Sequence, residues 1–92
     1  MESQIIYKYQ LDATDVQKVK MPRASKILTA QPQFGNPCLW AVVDPRNSEV
    51  NRIIKIAGTG YDLSNKIMGD YIGTVQIDDG LLIFHIFDYG EE

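Results

Sequence analysis

At 92 residues, 45% of them hydrophobic and 23% charged, the chain reads as one small globular domain rather than a disordered segment. Its formal charge of −3 argues against a dedicated nucleic-acid binder. No apolar run reaches the ~18 residues of a membrane span, and MESQIIYKYQ lacks the basic start and apolar core of a signal peptide, so no membrane partner is expected.

The dominant period is two. Ile5, Tyr7, Tyr9 and Leu11 alternate with Ile6, Lys8 and Gln10, which predicts a half-buried strand. A turn at residues 12–15 leads to a short alternating segment, 16–21, that Pro22 stops. Residues 24–31 form a third predicted strand. Phe34-Gly35-Asn36-Pro37 then reverses the chain, with Gly35 free to take positive φ. Residues 38–43 are apolar on both faces and belong in the middle of a sheet, with Trp40 expected in the core. A turn at 44–47 precedes a strand over 50–57.

The clearest hairpin pairs residues 71–77 with 81–87 around Asp78-Asp79-Gly80. Only residues 62–68 suit a helical turn or two, capped by Asp62 or Ser64. The expectation is a single all-β or nearly all-β domain, 1–92: an antiparallel sandwich or barrel of about seven strands. The apolar segment 81–87 must be covered by its own sheet neighbours or by a second subunit, which makes a homo-oligomer an expectation too.

Catalytic chemistry has little to work with. There is one cysteine and one histidine, too few for the usual zinc ligand set. Cys38 lies in an apolar run and reads as a buried, inert thiol. Unable to form an internal disulfide, it also makes a reducing, cytoplasmic location the default. Asp78 and Asp79 are adjacent and read as solvated turn residues. No cofactor and no catalytic residue are expected, and the chain is read as a non-enzyme.

Binding chemistry is better represented. Gly58-Thr59-Gly60 is either a simple turn or bulge, or a backbone cradle whose converging amides hold an anion, with Thr59 adding a hydroxyl. Tyr61 follows it as a lid or a stacking surface. Lys18, Lys20, Arg23 and Lys26 lie in an acid-free stretch, while Asp78, Asp79, Asp88, Glu91 and Glu92 load the other end. His85 is either a core histidine with a hydrogen-bonding neighbour or a donor at a pocket mouth, and in both cases it needs a partner.

Five blocks carry a resemblance: Met21-Pro-Arg-Ala-Ser-Lys-Ile27, Pro37-Cys-Leu-Trp-Ala-Val-Val-Asp44, Gly58-Thr-Gly60, Tyr71-Ile-Gly-Thr-Val-Gln76 and Leu82-Ile-Phe-His-Ile-Phe87. Together they resemble a family of small bacteriophage and prophage proteins with no assigned activity, over nearly the whole chain. In that family the position after Gly-Thr-Gly is often histidine. Tyr61 departs from this, which weighs against an acid or base role there.

The resemblance implies a counter-defence factor in an infected bacterial cell, one that works by binding. The sharper expectation is a sponge that sequesters a small anionic nucleotide-derived signal. Arg23, Lys26, Trp40, Gly58, Thr59, Gly60, Tyr61 and His85 are its candidate ligand-binding residues. The alternatives are a direct inhibitor of a host defence protein, such as a CRISPR-type nuclease, and an enzyme that cleaves the signal.

Overall fold

Alternating apolar residues broken by turn signals favour strands, and a computed structural model, describing residues 3–64 and 69–92, shows seven of them. They are β1 Ile5–Gln10, β2 Val16–Pro22, β3 Lys26–Gln33, β4 Asn36–Val43, β5 Glu49–Gly58, β6 Asp70–Ile77 and β7 Leu82–Glu91. One antiparallel sheet has the order β1-β4-β3 and the other β2-β5-β7-β6. The two inner faces enclose a core of Leu11, Ala30, Leu39, Ile54, Ile56, Val75 and Ile86, with Tyr9, Val19, Ile27, Ile72, Ile77 and Phe84 packed around it. The sheets approach each other where β3 meets β6. There a Cβ on Gly73 would stand 3.3 Å from the Ala30 carbonyl, a tight contact that would require the two strands to give slightly. No helix among the described residues is long and apolar enough to cross a membrane.

The expected all-β architecture, its seven strands and the central place of β4 are all present. The differences have local causes. Ala24 adopts φ 65° in the β2–β3 turn, so β3 starts at Lys26 and runs on through Pro32, which an edge strand tolerates. The helical turn expected over 62–68 does not form at residues 62–64. Residues 65–68 lie outside the described residues.

Trp40 is a correction. It is half-buried and alternates with Leu39 and Ala41, which point into the core, so it faces the outer side of the first sheet. Within the apolar segment 81–87, β7 lies between β5 and β6 and buries Ile86 against the first sheet, while Leu81 at 79% and Leu82 at 47% stay exposed.

β5 and β6 both run antiparallel to β7, so they are parallel to each other. Gly58 pairs with Phe84 near one end of β7, and Asp70 pairs with Asp88 near the other. Residues 59–69 therefore connect opposite ends of the sheet. With the inner face filled, their described parts lie on the outer one. This crossover turns an open sheet face into a walled groove.

Candidate functional site

On the outer face of the second sheet, Lys55 and Ala57 from β5 alternate with the core residues Ile54 and Ile56. His85, Phe87 and Tyr89 from β7 take the same side, with Lys55 opposite Phe87 and Ala57 opposite His85. The crossover brings Tyr61 and Leu63 over them. Asp15, Val16, Lys55, Tyr61, Phe87 and Tyr89 line most of the resulting groove, whose volume is about 260 Å³.

Three aromatic rings give the groove stacking surface. The Lys55 ammonium lies 4.2 Å from the centre of the Tyr89 ring, and Lys55 forms no ion pair among the described residues. Tyr61 donates its hydroxyl to Asp15 Oδ1 at 2.8 Å, which pins the start of the crossover to the β1–β2 loop. The hydrogen bond to Asp15, followed by that residue's charge, holds the Tyr61 phenol above its ordinary pKa.

Beside the groove runs a row of polar side chains. Thr59 Oγ1 lies 2.8 Å from His85 Nε2, and His85 Nδ1 lies 3.0 Å from Thr74 Oγ1. Thr74 Oγ1 in turn lies 2.6 Å from the Tyr71 hydroxyl. The Tyr71 ring meets Phe87 edge-on at 5.8 Å, joining the row to the aromatic wall. His85 thus satisfies part of each expectation: it is half-buried with hydrogen-bonding neighbours, and it stands at the margin of a groove.

Gly58-Thr59-Gly60 forms a β-turn. Tyr61 N–H donates to the Gly58 carbonyl at 3.1 Å, and Gly60 at φ +94° occupies the third position, as a type II turn requires. The Tyr61 amide is therefore engaged inside the turn. Thr59, at the second position of the turn, is exposed.

Of the eight residues singled out from the sequence, the structure brings together Gly58, Thr59, Gly60, Tyr61 and His85. It places the other three elsewhere. Trp40 is on the far sheet. Arg23 and Lys26 sit by the β2–β3 turn, where Arg23 N–H donates to Ser48 O, its carbonyl accepts from Asn47 Nδ2, and Ala24 N–H donates to Glu91 at 2.6 Å. Neither Arg23 nor Lys26 is among the residues that line the groove, although Glu91 stands only two positions along β7 from Tyr89.

Lys55, Thr74, Phe87 and Tyr89 were not selected from the sequence. Their signal was the period of two: Lys55 shares a side with Ala57, and Phe87 and Tyr89 share one with His85. Thr74 follows from hairpin register, as the partner of His85.

Fold and site together define a small two-sheet β-domain with an aromatic groove on one outer face, walled by a crossover. The chain belongs to the family described as Domain of unknown function (DUF7352), whose model matches residues 2–92. No curated protein and no solved structure matches it.

Proposed function

We propose that this protein is a binding module that sequesters a small, ring-bearing anion of the nucleotide class in the groove formed by Tyr61, Phe87, Tyr89 and Lys55. One observation carries the reading: Lys55 has no carboxylate partner among the described residues and sits beside aromatic faces able to stack a flat ring. The size of the groove supports a modest ligand. At about 260 Å³ it falls just under the ~300–1,000 Å³ of drug-sized pockets, which suits one ring system with the rest of the ligand in solvent. Capture without turnover fits a site whose only imidazole bonds two hydroxyls. In the phage setting that the sequence resemblance implies, the captured ligand is a bacterial immune signal.

The test is native mass spectrometry of the purified protein mixed with a panel of cyclic and linear nucleotides. The expected result is a retained, chemically intact ligand, lost in Lys55→Gln and Phe87→Ala. Sequestration needs tight binding, and nanomolar affinity corresponds to about −12 kcal/mol. A ligand recovered with altered mass overturns sequestration in favour of an enzyme.

A second reading, direct inhibition of a defence protein, is favoured by the open edge of β1. That strand pairs on one side only and exposes Ile5, Ile6 and Tyr7. Retention of no nucleotide, with co-purification of one host protein that Ile6→Lys releases, selects this reading.

A further inference from the structure

The row Tyr71–Thr74–His85–Thr59 has a proton count that fixes its behaviour. Each hydroxyl carries one proton and a neutral imidazole carries one, giving four protons for the three links. Both ring nitrogens are engaged, so the imidazole proton always lies within the row. One hydroxyl is therefore left over as a donor pointing outward, and it belongs to Thr59, Thr74 or Tyr71.

We propose that the Thr59 hydroxyl is the donor used for ligand binding, in a subsite for an oxyanion (phosphoryl or carboxylate) at the end of the groove. This rests on the ligand-capture reading and names the part of the site that would hold the ligand's charged group. Thr59 stands between Ala57 and Tyr61, both of which line the groove. Its neighbour Gly60 adds no side chain, and nothing lies within 4 Å of where a Cβ would stand, so the hydroxyl can be approached from that side. His85 backs it at 2.8 Å. Tyr61 is turned away, its hydroxyl given to Asp15.

An oxyanion accepting from Thr59 imposes one direction on every link. Thr59 donates outward, so its oxygen must accept from His85 Nε2–H. Nδ1 then accepts from the Thr74 hydroxyl, whose oxygen accepts from Tyr71. Binding at Thr59 thus fixes the imidazole as the Nε2–H tautomer. His85 is a positioning residue here, acting through Thr59. Each donor in the row is polarised by the one behind it, which strengthens the outward bond.

His85 is the only histidine in the chain, so its ring nitrogens give an unambiguous signal in long-range ¹H–¹⁵N spectra. Titrating the protein with inorganic phosphate, and separately with acetate, should move that signal toward the Nε2–H pattern. The anion that moves it identifies the acceptor as phosphoryl or carboxylate. Thr59→Val, which keeps the shape of an exposed turn residue, should abolish the shift while leaving the backbone spectrum folded. No movement with either anion overturns the proposal. So does a movement that persists in Thr59→Val, because the anion would then be meeting the ring elsewhere. These probes carry no aromatic ring. A positive shift alongside failed nucleotide capture would therefore keep the subsite and remove only the groove reading.

Discussion

Phe34 occupies the left-handed region at φ 52° with 92% of its surface exposed, in the two-residue loop that joins Gln33 to its partner Asn36. Positive φ at both Phe34 and Gly35 marks a type I′ hairpin turn, whose favoured sequence is Asn-Gly. A bulky side chain in this conformation costs about 1–2 kcal/mol, and its exposure returns nothing through burial. Phe34→Asn should therefore raise stability by about 1 kcal/mol, measured as a higher urea midpoint at unchanged slope. Gly60, at φ +94°, gives the opposite case. Gly60→Val should lower stability by roughly 1–3 kcal/mol from backbone strain alone, because a Cβ there meets nothing within 4 Å. Positive φ at Gly35 was legible in the sequence because turn chemistry is local. The orientation of Trp40 was not, because a strand that is apolar on both faces gives no parity signal.

At the scale of elements, the crossover decides whether a groove exists. It is held at its start by the Tyr61–Asp15 hydrogen bond and at its end by Gly69, where a Cβ would fall 2.5 Å from the Asp88 carbonyl and 2.7 Å from the Tyr89 ring. Gly69→Ala must push the connection off β7. It should cost roughly 1–3 kcal/mol, as overpacking does, and weaken any ligand held against Tyr89. A Gly69→Ala protein with parent stability and parent affinity would show that the crossover does not need this contact. The strand over 50–57 was readable from the sequence, as was the final hairpin of 71–77 with 81–87. The extension of β7 to Glu91 was not. Residues 88–92 look like a solvated acidic tail, but Asp88 is held by Arg52, 36 positions away in sequence, and the Glu92 amide donates to the Asn51 carbonyl at 2.8 Å.

Across the whole molecule, the two charged ends of the sequence meet. Lys18 pairs with Glu92 at 2.8 Å, though both are exposed and such a pair contributes little. The strong junction is Arg52 with Asp88, bonded at 2.9 and 2.8 Å with both side chains nearly buried. Arg52 also donates to the Ser25 carbonyl at 2.8 Å, and Asp88 accepts from the Gly90 amide. One guanidinium thus ties β5, β7 and the β2–β3 turn together. Burial pushes the Asp88 carboxyl up, but the Arg52 and Gly90 hydrogen bonds and the Arg52 charge together bring it below its ordinary value. A carboxylate with a depressed pKa in the fold stabilises the protein above its unfolded value near ~3.9, and that stabilisation is lost as pH falls through the folded value. Urea midpoints should therefore fall between about pH 5 and about pH 2. Asp88→Asn leaves the Arg52 charge without its carboxylate, so at neutral pH it should cost roughly 3–5 kcal/mol. The informative comparison is the slope. With the titrating group gone, the variant should lose less further stability on acidification than the parent does. What remains would come from other carboxylates such as Asp44 and Glu92, whose pKa values are lowered chiefly by hydrogen bonds to Arg46 and Lys18. A variant curve parallel to the parent's across the acid range would show that acid unfolding starts elsewhere than this junction.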